Sequence, residues 1–295
     1  MRSMDSATDA FVTYRSLLFT VAYEMLGSAA DAEDVVQETW LRWVGVDLDA
    51  VRDQRAYLVR IVTRQALDRL RALARRKESY VGPWLPEPLL TTPDVAEDVE
   101  FADNVSTAML LVLETLNPTE RAVFVLREVF GLDYDEIAEA VDKSPAAVRQ
   151  IAHRARAHVT ERRPRETPSQ DQARAALVAF QRAVATGDMR QLLDILAPDV
   201  VLLGDGGGIK QAVPRPVAGI DRVARMLVAS SARIAATTME LADVNGHPAL
   251  LLRLDGELDT VMTLRIDDGL ISGVYALRNP EKLTHFDRNV QLVRR

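Results

Sequence analysis

From Arg60 to Lys77 the chain holds seven bases, Arg60, Arg64, Arg69, Arg71, Arg75, Arg76 and Lys77, against a single acid, Asp68. A second run, Lys143 to Arg165, again has seven, Lys143, Arg149, Arg154, Arg156, Arg162, Arg163 and Arg165, against Glu161. Cations concentrated in this way bind polyanions, and on a helix that enters a duplex groove they also reach base edges. Between the runs, residues 81–104 carry six acids (Glu87, Asp94, Glu97, Asp98, Glu100, Asp103) and no base. Two cationic blocks around an acidic spacer suggest two polyanion contacts joined by a segment that must not bind DNA tightly. Each run alone would also suit a solvated helix face. The overall charge of −7 hides the layout.

Helices must position these faces. FVTYRSLLFTVAYEML has apolar residues at helical spacing, and Gly27 and Ser28 end it. The next helix is expected from about Asp31, with acids in its first turn where they favour the macrodipole. Its expected buried stripe is Val35, Val36, Trp40, Leu41 and Val44, which leaves Gln37, Glu38 and Arg42 outward. After the polar loop GVDLDAVRDQ, a long helix follows, apolar at Leu58, Ile61, Val62, Ala66, Leu67 and Leu70. Arg60, Arg64 and Arg71 share one of its flanks. The pattern also describes a plain three-helix bundle.

Further along, Asn117-Pro118 and Ser144-Pro145 each pair an N-cap with proline at the first helical position. YDEIAEAV, the turn DKS and a helix with Val148, Ile151, Ala152 and Ala155 inward make a helix-turn-helix pattern. Outward Arg149, Gln150, His153, Arg154 and Arg156 suit a major groove. A structural αα-hairpin is the alternative.

A length of 295 residues accommodates two or three domains. No window approaches the roughly 18 uninterrupted apolar residues of a membrane span. MRSMDSATDA lacks the apolar core of a secretory signal, so none is expected. The absence of cysteine excludes disulfides and thiolate metal sites and fits a reducing cytoplasm. His153, His158, His247 and His285 form no i,i+4 pair, so no metal is expected.

The last part reads differently. QDQARAALVAFQRAVATGD is an amphipathic helix with Ala173, Ala176, Leu177, Phe180 and Val184 inward and Gly187 as its stop. MRQLLDILAPDV is expected as a second helix, VVLLGDGGGIKQAV as strand, glycine turn and strand, and VAGIDRVARMLVASSA as a third helix. The turn signals NGHP, DGE and DDG separate the apolar runs ALLLRL, TVMTLRI and LISGVYAL. Helices on a curled antiparallel sheet make an α+β domain. From residue 167 onward bases and acids balance at 15 each, with no sign of DNA binding. Asp205 and Tyr275 are its candidate acid or base groups, with His247 in a hairpin turn. No pair stands at a telling spacing, so no catalytic residue or cofactor is assigned.

Taken together, residues 8–163 resemble the extracytoplasmic-function (ECF) sigma factors, in that family's order. AEDVVQETWLRW resembles the region 2 helix that docks on the β′ clamp helices of core RNA polymerase, which implies Asp34, Gln37 and Glu38 as interface residues. AYLVRIVTRQALDRLR resembles the helix that handles the melted −10 element, which implies Arg60, Arg64 and Arg71. GVDLDAVRDQ lies where the family places its pocket for an extruded base. LNPTERAVFVLREVFGLDYDEIAEAV with SPAAVRQIAHRARAHV is similar to region 4, the −35 reader, with the β flap as a further polymerase contact. There Ser144, Arg149, Gln150, His153, Arg154 and Arg156 are implied. Many members carry Asn within an ARNLAID-like stretch; here VTRQALD has Arg64 at that place, so the base chosen at −10 does not transfer.

The resemblance implies a multidomain chain: region 2 over 8–78, a proline-rich acidic linker over 79–104, region 4 over 105–163, a SnoaL-like, NTF2-like cone domain over 168–285 and a tail over 286–295. Its partners would be core polymerase and promoter DNA, with no membrane. Family members with such a fused domain share a WLPEP linker motif, a DGGG-type motif and an NPEKL-type tail. This chain has Trp84-Leu85-Pro86-Glu87-Pro88, Asp205-Gly206-Gly207-Gly208 and Asn279-Pro280-Glu281-Lys282-Leu283, with Ile209 inserted before Lys210. Prolines preset an extended chain, about 3.1 Å per residue, and Trp84 and Leu85 offer an apolar anchor. The expectation is a linker docked near the DGGG loop and the NPEKL tail that regulates in cis. A one-component operator-binding factor and an NTF2-like isomerase or hydrolase remain as alternatives, and a small ligand in the cone pocket stays open.

Overall fold

The computed structural model describes residues 2–77, 80–91, 102, 104–162, 168–284, 286 and 292–293. Asp94, Glu97, Asp98, Glu100 and Asp103 of the spacer, Arg163 and Arg165 of the second basic run, and His285 lie outside the described residues. The chain divides into two compact units. One comprises Met1–Glu78, Leu110–Arg163 and Gln291–Arg295; the other comprises Ser79–Met109 and Pro164–Val290.

In the first unit, α1 (Arg2–Leu26), α2 (Ala29–Trp43) and α3 (Gln54–Lys77) pack together. Gly27, at φ 65°, ends α1, and the Ser28 side chain accepts from Asp31 N–H to start α2. The helix therefore begins two residues before the expected Asp31. Its buried face is also rotated: Trp43 is fully buried and donates to Ala7 O at 2.8 Å, whereas Leu41 and Val44 are exposed. Trp43 lies one turn beyond Thr39, which is itself buried and bonded to Val35 O. The larger ring takes the core position and Leu41 is turned outward.

The unit continues with α4 (Thr107–Leu113), which carries the chain in from the other unit, and α5 (Pro118–Phe124). Asn117 and Glu120 cap α5 reciprocally, and a π-helical turn, Val125–Val129, follows. Then come α6 (Tyr134–Val141) and α7 (Pro145–Thr160). Asp142 takes the left-handed conformation in the turn, and Ser144 Oγ accepts from Ala147 N–H. Val148, Ile151, Ala152 and Ala155 are buried. At the heart of this unit Arg121, only 2% exposed, donates to Glu24 O through Nε and Nη2 at 3.3 and 3.1 Å and pairs with Glu114 through Nη1.

In the second unit α8 (Gln170–Thr186), α9 (Met189–Ile195) and α10 (Ile220–Ala235) cover a six-stranded sheet. Its strands are β1 (Leu196–Asp205), β2 (Val217–Ala218), β3 (Thr238–Val244), β4 (His247–Leu254), β5 (Glu257–Asp267) and β6 (Leu270–Leu277), and a short helix, α11 (Pro280–Leu283), follows. The order is β2-β1-β6-β5-β4-β3, with β1 parallel to β6 and the other pairs antiparallel. Irregularities at Leu196/Val201, Leu252/Arg253 and Arg265/Ile266 bend it, as bulges do. The result is an α+β architecture. NG, DG and DG turns, each with both residues at positive φ, join the last four strands.

Three local expectations differ. LAPDV opens β1 instead of extending α9, because Pro198 lacks the N–H a helix needs and biases Ala197 to extended backbone. The stretch IKQAV is no strand. Ile209 and Lys210 N–H both donate back to Gly206 O, and Pro214 and Pro216 remove ladder donors before the short β2. Val217 and Ala218, expected to open the third helix, form β2 instead, and α10 begins at Ile220 after Gly219.

Candidate DNA and polymerase interfaces and the linker site

On α7, Arg149, Gln150, His153 and Arg154 are exposed along one side, opposite the buried stripe. Arg149 lies 5.4 Å over the Tyr134 ring. Arg156 is also exposed but pairs with Glu128 at 2.6 Å, whose bonds and charge hold its proton more tightly than usual. Ser144 caps the helix.

The α3 flank meets α6. Arg60 Nη1 lies 3.0 Å from Glu139 Oε2, and Arg64 Nη2 donates to Glu139 O at 2.8 Å. Arg71 pairs with Asp68. One helix of the helix-turn-helix thus occupies two of the three arginines assigned to −10 DNA. Such exposed pairs are each worth about 0–1 kcal/mol, so a polyanion can displace them.

On α2, Asp34, Gln37 and Glu38 are exposed, and Arg69 of α3 reaches Asp31, Asp34 and Glu38 at 3.2, 3.4 and 3.3 Å. With Leu41, 74% exposed, they stand at i, i+3, i+4 and i+7, a single helix face with an apolar knob at its end.

In the second unit the three motifs converge on Asp205, which is fully buried. Its carboxylate accepts from Tyr80 OH at 2.6 Å, Leu85 N–H at 2.9 Å, Gly207 N–H at 3.0 Å and Lys282 Nζ at 2.7 Å. Lys282 Nζ also donates to Leu85 O at 2.6 Å and lies 4.1 Å over the Trp84 ring and 4.9 Å over Tyr80. Asn279 caps α11 through Glu281 N–H and donates to Tyr80 OH at 2.9 Å; Pro280 follows it as the first helical residue. Burial, then the bond to Asp205, pushes the Tyr80 hydroxyl well above its ordinary pKa, so it stays a donor. Leu85 and Pro86 are buried. A Cβ on Gly206 would stand 2.0 Å from Lys210 O, and one on Gly207, at φ 63°, 2.4 Å from Asn279. Both glycines are there for close approach.

A second anchor escaped the sequence reading. Asn245, in the NG turn, exchanges two bonds with Leu89: its N–H donates to Leu89 O at 2.9 Å and its Oδ1 accepts from Leu89 N–H at 3.0 Å. Its Nδ2 donates to Val105 O at 2.9 Å. Leu90 bridges Val244, and Thr91 N–H donates to Asp243 O at 3.0 Å, so the linker adds to the edge of β3. The only local signal was a turn-forming Asn.

A cavity of about 350 Å³ opens between the sheet and α10. Neither Asp205 nor Tyr275 lines it. Asp259 does, but Lys210 at 2.8 Å, Thr260 at 2.7 Å and Arg278 at 3.0 Å hold it. Burial opposes its ionisation, yet these bonds outweigh burial and keep its carboxyl down at about 2. A group so held is no general base at neutral pH. Among the described residues no helix is long and apolar enough to cross a membrane.

Two helical modules with cationic faces, one a helix-turn-helix, joined to an α+β domain define a multidomain DNA-binding protein. Residues 10–76 match Sigma-70 region 2, and residues 106–159 match Sigma-70, region 4. The ECF RNA polymerase sigma factor SigJ of Mycobacterium tuberculosis is 36% identical over 295 aligned residues, covering 93% of this chain and 92% of the relative. A second protein of that organism, described as a probable ECF RNA polymerase sigma factor, SigI, is 32% identical over 96% of this chain and 97% of its own length. The crystal structure of M. tuberculosis SigJ superposes with a TM-score of 0.77 at 34% identity, covering 95% of this chain and 99% of the other. The chain belongs to the ECF RNA polymerase sigma factors. It binds core RNA polymerase and promoter DNA, directs transcription initiation and is not an enzyme.

Proposed function

We propose that the α+β domain regulates this sigma factor in cis by holding the linker between regions 2 and 4. The observation that carries the reading is Asp205, whose one buried carboxylate bonds Tyr80 and Leu85 of the linker and Lys282 of the tail helix. With the second anchor at Asn245, the linker is fixed at two points and its freedom to follow separating DNA-binding regions is restricted. The −35 contacts fall to Ser144, Arg149, Gln150, His153, Arg154 and Arg156, and the −10 contacts to Arg60, Arg64 and Arg71. In this reading Glu139 must release Arg60 and Arg64 when region 2 meets DNA.

Replacing Trp84 and Leu85 together by alanine tests the linker role. The expected result is a larger radius of gyration in scattering and at least about a threefold change in promoter-dependent transcription with core polymerase, which corresponds to roughly 0.6 kcal/mol or more in free energy. Unchanged values of both would leave the segment a stiff spacer.

Asp34, Gln37, Glu38 and Leu41 form the polymerase-binding face in the same reading. Leu41→Glu should weaken binding to core polymerase by about tenfold or more, since buried apolar anchors dominate interfaces. Its thermal unfolding should stay as in the parent chain, because Leu41 is exposed. Equal affinity would take Leu41 out of the interface.

A further inference from the structure

The cavity under α10 has a distinctive chemistry. Leu202, Met226, Leu227, Leu252 and Met262 are among its walls, and among the described residues no aromatic ring lines it. Among the described residues its charged lining is Arg233 and Arg278 against the single acid Asp259. Asp259 is already satisfied by Lys210, Thr260 and Arg278. The Arg233 side chain is exposed and makes a 3.3 Å contact to Ser230 Oγ, itself part of the lining. The volume is at the lower end of ordinary small-molecule sites, roughly 300–1,000 Å³.

We propose that this cavity is an effector site for a small aliphatic carboxylate. The chain lies among leucines and methionines, whose unbranched thioethers adapt to its shape. The head meets Arg233 and Arg278, since a guanidinium fork matches a carboxylate. Lining free of aromatic rings favours an aliphatic body over a stacked planar one. Two arginines against one acid favour an anion over a cation.

The site also reaches the linker. Arg278 N–H donates to Asp205 O at 2.7 Å, while its side chain bonds Gln211 O and Asp259. Gly206 to Pro214 runs from the linker-holding carboxylate to the cavity wall, where Gln211, Ala212, Val213 and Pro214 line it. A carboxylate at Arg278 competes with Gln211 and Asp259 for its donors and shifts this loop. The ligand can bias the linker only through such differential contacts. This second step rests on the regulatory reading above; binding itself does not.

The test titrates the full-length protein calorimetrically with dodecanoate below its micelle concentration, with dodecylammonium and dodecan-1-ol for comparison. Saturable one-site binding of dodecanoate is expected, with dodecylammonium at least roughly tenfold weaker, or 1.4 kcal/mol. Met226→Trp, which fills the cavity, should abolish it. Arg233→Gln, at an exposed position, should weaken dodecanoate and leave dodecan-1-ol unchanged whether or not Met226→Trp folds. Hydrogen exchange of residues 80–91 should change on addition of dodecanoate. No saturable binding, or equal binding of the cation, overturns the site. Binding with unchanged exchange at 80–91 overturns its effector role. Residues 80–91 that exchange unprotected in the ligand-free protein would instead remove the linker reading and leave the binding result standing.

Discussion

Asp205→Ala is expected to release residues 80–91 from hydrogen-exchange protection and to destabilise the α+β unit by about 3–5 kcal/mol, the usual loss when one partner of a buried ion pair is removed. The carboxylate is fully buried and Lys282 retains 9% side-chain exposure, so neither charge has water to fall back on. The alanine leaves Lys282 with the Leu85 carbonyl and the faces of Trp84 and Tyr80, and leaves Leu85 N–H and Tyr80 OH without their acceptor. Asp205→Asn separates charge from geometry: its carboxamide oxygen can still accept from Leu85 N–H, but its neutral side chain cannot balance Lys282. It should therefore fall between parent and alanine. The measurements are denaturant unfolding of the full chain and exchange rates in 80–91. A parent-like rate in the alanine variant would mean that Asp205 does not hold the linker.

The second large effect lies at Glu24 in α1. It is fully buried, and burial pushes its carboxyl up to about 8, with the Arg121 guanidinium pulling the other way. Neither side-chain oxygen has a hydrogen-bond partner among the described residues. At neutral pH the group is therefore mainly protonated in the folded protein and ionised in the unfolded chain, so the folded state binds the extra proton. The first unit should lose stability as pH rises from the ordinary carboxylate range toward about 8 and level off above it. The total is on the order of 2–5 kcal/mol. Glu24→Gln keeps the shape and cannot ionise. It should remove that slope and raise the unfolding midpoint at pH 8 while changing it little at pH 5. Parallel pH profiles for the two proteins would show that Glu24 is ionised in the folded state.

Glu24 also marks where reading the chain stops being enough. In FVTYRSLLFTVAYEML it is one acid in an apolar helix, with no local sign that Arg121 of α5, far along the chain, would cover it. Leu41 and Trp43 make the same point within one helix. Both are apolar and two positions apart, and periodicity alone cannot fix the helix's rotation; the indole's bond to Ala7 O decides it. Asn245 read as a turn former because its local role is real, yet its side chain is spent on Leu89 and Val105.

What lay open in the one-dimensional chain was whatever depends on near neighbours. The capped helices after Asn117 and Ser144, the tight NG and DG turns, the apolar stripes and the two blocks of like charge all follow from residues within a few positions of one another. The three short motifs are stretches that meet around Asp205, but they do not include Tyr80, which joins them there, nor do they foreshadow the pairing of Asp259 with Lys210 and Arg278. Folding alone settled which charges end up buried and against what. Asp205 and Leu85 stand 120 positions apart, and Arg60 and Glu139 stand 79 apart. Contacts at such separations arise from the packing of whole elements, which no local spacing encodes.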